Sequence, residues 1–161
     1  MTVIHMRIDN RLIHGQVTTT WVHSVGASRM IVTNDQVAQD ALQKMLLPQA
    51  ARGVPTSVLS IDDTLKYVAS NPKERILIIA KFPKDALRLI EGGLQPAEVN
   101  VGNQAPIPAT KFKMVTHTIA ATAEDAEIYR IIAGKGYKLT SKMMPSDRAT
   151  DFLETLKKHK L

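Results

Sequence analysis

The run Arg75–Ala80 is apolar at every position after its arginine. An unbroken apolar run of that length is expected of a strand buried on both faces, not of one wetted on alternate residues. A strand of this kind needs helices above and below it, and the neighbouring segments read as helices. On one side, Ser60–Asp63 resembles a capping box for a helix through Leu65, Val68 and Ala69, closed by Asn71-Pro72. On the other, Pro83 suits the first position of a helix carrying Ala86, Leu87, Leu89 and Ile90, which stops at Gly92-Gly93.

The same alternation runs from the start of the chain. Thr2-Val3-Ile4 opens a first strand. Val17, Trp21, Val22 and Val25 then fall on one helical face, with Gly26 as the stop. Arg29–Thr33 reads as a second strand. Asn34-Asp35 caps a helix carrying Val37, Ala38, Ala41, Leu42, Met45 and Leu46, ended at Pro48. Val54–Leu59 is a third strand, placed near an edge because Pro55 cannot donate to a ladder. Glu98–Val101 is a fifth strand, followed by the loop Gly102–Pro108, and Phe112–Ile119 a sixth. Thr122–Asp125 opens a helix through Ala126, Tyr129, Ile132 and Ala133. Tyr137–Met143 alternates as a strand, and Ser146-Asp147 caps a last helix with Phe152, Leu153 and Leu156 before the basic end Lys157–Lys160. Short strands alternating with helices predict one α/β domain over residues 1–161. Its sheet is doubly wound, mostly parallel and of about seven strands, with helices on both faces.

Composition narrows the chemistry. The chain has 161 residues, 44% of them hydrophobic and 22% charged, as expected of a soluble globular protein. It has no cysteine, which excludes disulfides and thiolate metal sites. The N-terminus lacks the apolar core of a signal peptide, and no run approaches the roughly 18 apolar residues of a membrane span. A cytoplasmic location is therefore expected. The net charge is +6, and nearly all of it lies beyond residue 50. A basic surface invites an acidic partner. Nucleic acid is disfavoured as that partner, because only 4% of residues are aromatic and no aromatic–basic stripe occurs. A Gly-rich dinucleotide fingerprint, a Walker loop, a His-Glu-x-x-His motif and a Gly-x-Ser-x-Gly elbow are all missing. No cofactor and no metal are expected.

In open α/β sheets, ligands bind beyond the carboxyl ends of the strands. The turn after the first strand lies on that rim, as do Asn34-Asp35, Lys81 and the Gly102–Pro108 loop. That first turn carries Arg7, Asp9, Arg11 and His14 and runs directly into a helix. Imidazole titrates near neutrality, so much of it is the neutral nucleophile at cell pH. Guanidinium forks and the free N–H groups of a helix start can neutralise phosphate. Against this stands the plain reading of His14 as a solvated loop residue. Arg7 and Asp9, on one face of the strand, can pair; Asp9 then orients either Arg11 or the imidazole. Trp21 reads as core. His5 and His117 read as strand residues, His23 as a helix flank and His159 as tail.

The string Arg7–Val17 followed by Trp21 resembles the signature of the IIB subunits of the mannose/fructose/sorbose family of the bacterial phosphoenolpyruvate–sugar phosphotransferase system. The resemblance continues in Asn34–Val37, Asp85–Leu89 with Glu91–Gly93, Asn100–Gly102 and Met143–Asp147, over essentially the whole chain and with no fused IIA domain. It implies a phosphorelay. His14 receives the phosphoryl group from a phosphohistidine of the IIA partner and passes it to a sugar held by the membrane IIC/IID complex. It further implies Arg11 as phosphate neutraliser, Asp9 as orienter, Gly15 and Gln16 as backbone donors allowing close approach, and Arg7 as support behind them. The family suggests attachment at Nδ1. The chain departs from the family at Asn10 and Gln36, where acids are common, and at Gly102-Asn103, where Gly-Gly often stands. Self-association and the identity of the sugar are left open. Two other readings compete. One is a non-catalytic regulatory or binding module using the basic surface, and the other an independent enzyme acting on a phosphorylated metabolite.

Overall fold

A computed structural model describes residues 3–161. Thr2, placed above at the head of the first strand, lies outside the described residues. The strands are β1 (Val3–Asp9), β2 (Arg29–Thr33), β3 (Thr56–Leu59), β4 (Ile76–Ala80), β5 (Val99–Asn103), β6 (Lys113–Met114), β7 (Ala120–Ala121), β8 (Leu139–Ser141) and β9 (Thr150–Asp151). The helices are α1 (Val17–Val25), α2 (Asp35–Gln39), α3 (Ala41–Ala50), α4 (Ile61–Ser70), α5 (Pro83–Glu91), α6 (Ala123–Gly134) and α7 (Phe152–Lys158).

Seven strands form one sheet in the order β3-β2-β4-β1-β5-β8-β9, with only the β8–β9 pair antiparallel. The apolar run is β4, near the middle, and all five of its residues are buried. β3 lies at an edge, as Pro55 implied. Helices cover both faces. Trp21 and Val22 of α1 and Val37 of α2 pack with Met30, Val32, Leu77 and Ile79 on one side. Ile61, Leu89, Tyr129 and Phe152, from α4 to α7, pack with Met6, Ile8, Ile31, Ile78 and Val101 on the other. The chain leaves β1 toward β2 but leaves β5 toward β8, on the opposite side. The reversal puts a crevice between the carboxyl ends of β1 and β5.

Three expectations need correction. The helix after Asn34 is two helices. Asp40 is extended (φ −87°, ψ 103°), and its carboxylate accepts from the amides of Leu42 and Gln43, capping α3 anew. Pro48 lies inside α3 and does not end it. Phe112–Ile119 is not one strand. Its first half pairs as β6 with β7, and the Val115 amide turns back to the Ile119 carbonyl at 2.9 Å. His117 is therefore an exposed turn residue. The last helix is capped by Asp151, which accepts from Leu153 and Glu154, while Asp147 closes a separate turn onto the Met144 amide.

Candidate functional site

The turn from β1 into α1 is built by burying its middle and exposing its flanks. Leu12 and Ile13 are buried in the cluster beneath α1, whereas Arg11, Gly15 and Gln16 are exposed. The reversal is tight enough to force Leu12 to φ 63° and Gly15 to φ 55°. A left-handed leucine costs about 1–2 kcal/mol, which burial of its side chain outweighs. Thr18, buried at the start of α1, accepts the His14 amide through its hydroxyl at 3.4 Å. The amides of Gly15, Gln16 and Val17 meet no acceptor among the described residues, so the helix start presents free donors.

His14 is held by Asp9. Its Nε2 lies 2.9 Å from Asp9 Oδ2, and the carboxylate is 1% exposed against 20% for the imidazole. The other oxygen, Oδ1, accepts the Arg11 backbone amide at 2.9 Å. Of the two partners left open for Asp9, its carboxylate meets the imidazole; from Arg11 it accepts only the backbone amide, and the Arg11 side chain is exposed. An ionised carboxylate can only accept, so in a neutral imidazole this contact requires the proton on Nε2 and leaves the lone pair on Nδ1.

Behind Asp9 lies a buried polar row, of which only the Arg7–Asp9 pair was legible beforehand. Arg7 donates from Nε to Asp9 Oδ2 at 3.3 Å, and from Nη1 to Asn100 Oδ1 at 2.6 Å and the Lys142 carbonyl at 3.2 Å. Its guanidinium lies against the Trp21 ring, 5.2 Å from the centroid. Burial draws this guanidinium below its ordinary value, opposed by the charge and hydrogen bond of Asp9. Trp21 is core as expected, and its Nε1 donates to the Met143 carbonyl at 2.8 Å. His5 is fully buried and stacks on Trp21 at 4.6 Å. Its Nδ1 is 3.5 Å from Glu98, whose carboxyl this contact holds below the usual range. Asn100 had stood out only as part of a resembling string. No local pattern marks Lys142, whose carbonyl joins the row from far along the chain.

The remaining rim residues divide. Asn10 ties the turn to the loop after β5, donating to the Ala105 carbonyl at 3.0 Å and accepting the Ala105 amide at 2.9 Å. An acid at this position could accept but not donate. Asn34 and Asp35 are structural: Asn34 caps α2 and donates to Asp85, and Asp35 accepts the Ile61 amide and pairs with Arg88. Lys81 lies over the Phe82 ring. A cleft of about 360 Å³ lies between the 104–112 loop and the start of α6 and does not include His14. His14 lies on the turn between β1 and α1 with 20% of its side chain exposed. Among the described residues no acidic or histidine cluster could hold a metal ion, and no helix is long and apolar enough to cross a membrane.

Known proteins resemble this chain over nearly its whole length. The family model described as the PTS system sorbose subfamily IIB component matches residues 3–161. The PTS system fructose-specific EIIB component of Bacillus subtilis is 32% identical over 160 residues, covering 98% of this chain and 97% of that protein. The PTS system mannose-specific EIIAB component of Escherichia coli is 34% identical over 94% of this chain, which spans 47% of that longer protein. The crystal structure of the IIBSor domain of the sorbose permease from Klebsiella pneumoniae superposes with a TM-score of 0.92 at 31% identity, over 98% of each chain. A seven-stranded, mostly parallel α/β fold with its histidine turn at the β1/β5 crevice, matched end to end, leads to one assignment: the chain belongs to the sorbose subfamily of IIB components of the phosphotransferase system, which are sugar phosphotransferases.

Proposed function

We propose that residues 1–161 act as one IIB unit in which His14 carries the phosphoryl group. It accepts the group from a phosphohistidine of a IIA protein and delivers it to a sugar held by a membrane IIC/IID complex. The supporting observation is the 2.9 Å contact between His14 Nε2 and the buried Asp9 carboxylate. It occupies one ring nitrogen and leaves Nδ1 as the nucleophile. In the first transfer the Nδ1 lone pair forms a bond to phosphorus as the donor's N–P bond breaks, and the donor imidazole leaves with that electron pair. The ring of His14 becomes cationic, with Nε2–H still on Asp9, which stabilises the charge. In the second transfer a sugar hydroxyl oxygen attacks phosphorus, the Nδ1–P bond breaks and the ring returns to neutral. The hydroxyl proton goes to a base of the sugar site.

Alignment and charge stabilisation carry most of such a transfer. Arg11, exposed beside the turn, neutralises the phosphoryl oxygens, and the Gly15 and Gln16 amides donate to them. Arg7 is buried and acts as support through Asp9. The +6 charge of the chain favours encounter with a partner that presents phosphohistidine. The protein works in the cytoplasm, visiting the inner membrane face through IIC/IID. Incubation with phosphoenolpyruvate and the upstream relay proteins should give an acid-labile, alkali-stable label, abolished in His14→Ala. Label that persists in that variant rejects the assignment.

A further inference from the structure

We infer that Gly102 and Asn100 of β5 are positioning residues for phosphotransfer, seating the Arg7 guanidinium so that Asp9 holds His14 by Nε2 and directs the phosphoryl group to Nδ1. The inference rests on His14 being the carrier. The pairing of β1 with β5 matches Arg7 to Asn100 and Ile8 to Val101, then shifts so that Asp9 faces Asn103. Gly102 is the residue passed over. Such an irregularity re-aims neighbouring side chains, and here Arg7 fills the space it opens. A Cβ on Gly102 would coincide with Arg7 Cζ and both Nη atoms. The backbone at Gly102 is not left-handed, so the position needs glycine for space and not for conformation.

Three further contacts close the seat. The Trp21 ring lies against the guanidinium, Asn100 Oδ1 receives Nη1 at 2.6 Å, and the Lys142 carbonyl receives the same nitrogen at 3.2 Å. Asn100 is itself fixed by donating from Nδ2 to the Lys142 carbonyl at 3.2 Å. With Nη1 so occupied, Nε is left facing Asp9 Oδ2, the same oxygen that meets His14 Nε2. Arg7 is 1% exposed, so it acts through the carboxylate and not on phosphate. If the seat is filled, the guanidinium must leave. The buried carboxylate then loses its cation, the imidazole is no longer pinned, and both ring nitrogens become available to phosphorus.

The test phosphorylates the full chain with phosphoenolpyruvate and the relay proteins, then assigns the isomer by 31P NMR alongside the transfer rate. Wild type should carry phosphate at Nδ1 alone. Gly102→Ala should transfer more slowly, on the order of 10–100-fold, and give a mixture of Nδ1 and Nε2 isomers. Asn100→Ala, which leaves the backbone free of strain, should shift in the same direction and serves if Gly102→Ala does not fold. In an Arg7→Met background, Gly102→Ala should change neither rate nor isomer ratio further, because both act through one guanidinium. A folded Gly102→Ala or Asn100→Ala chain labelled only at Nδ1 at the wild-type rate overturns the inference while leaving His14 as carrier. Wild type with no label at His14 overturns both.

Discussion

Asp9 Oδ2 stands between two cationic or proton-bearing partners, 2.9 Å from His14 Nε2 and 3.3 Å from Arg7 Nε. One oxygen thus joins an imidazole on the surface to a guanidinium in the interior. The strand places Arg7 and Asp9 on the same face, and the turn brings His14 back onto that face. The carboxylate therefore serves two ends, orienting the ring outward and balancing a buried charge inward.

The inward role predicts a stability effect separate from catalysis. Asp9→Ala leaves Arg7 buried without its carboxylate, which should cost about 3–5 kcal/mol. Arg7→Met combined with Asp9→Ala removes the stranded charge and should recover much of that loss. Urea unfolding of the two variants checks this; a double variant no more stable than Asp9→Ala would show that the pair contributes little.

The turn predicts an inverted ranking at Leu12. Alanine usually outperforms glycine, yet at φ 63° a Cβ is strained. Both Leu12→Ala and Leu12→Gly lose buried packing, roughly 2–5 kcal/mol, but glycine alone relieves the strain of about 1 kcal/mol. Leu12→Gly should therefore melt at or above Leu12→Ala in thermal denaturation.

The break between α2 and α3 predicts a local effect at Asp40. Its side chain accepts from Leu42 and Gln43, so Asp40→Ala should weaken the start of α3. Because α3 buries none of its residues fully, the loss should appear in hydrogen exchange as earlier opening of residues 41–50, with β4 amides unaffected.

Acid sensitivity follows from Asp35. The hydrogen bond from Arg88, and then the Ile61 amide, hold its carboxyl below the ordinary range. A carboxyl depressed in the folded state stabilises above its unfolded value near pH ~3.9, and that stability is lost as pH falls through the folded value. Both side chains of the Asp35–Arg88 pair are nearly half exposed, so screening keeps the effect small, about 0.5 kcal/mol. Asp35→Asn should be less stable than wild type at pH 7 by that amount, with the gap closing below about pH 4. A constant gap across the range would remove Asp35 from the acid response.

Much of the path from sequence to site was legible in local pattern. The β4 run announced a doubly covered strand because every one of its side chains is apolar, and Pro55 announced an edge because it has no N–H. Gly26 and Pro83 marked a helix end and a helix start through backbone geometry alone. The misread segments share a cause. Asp40 and Asp151 are caps whose partners lie only two or three residues on, inside stretches whose apolar spacing also suits a continuous helix or a loop. The hairpin at residues 113–121 turns through Thr116–Thr118 with no glycine, proline or asparagine to signal it; a Thr116 hydroxyl accepting the Thr118 amide stabilises the bend.

By itself the sequence determined the alternation of strand and helix, and the arrival of a histidine turn at a helix start, because both depend on side chains within a few positions of one another. Only the tertiary structure decided which nitrogen of His14 is held and what seats the Arg7 guanidinium behind Asp9. Asn100 and Lys142 meet Arg7 across 93 and 135 residues, and Gly102 makes room for it because β5 pairs out of step with β1. Contacts of that separation come from the packing of neighbouring strands, which no local periodicity encodes.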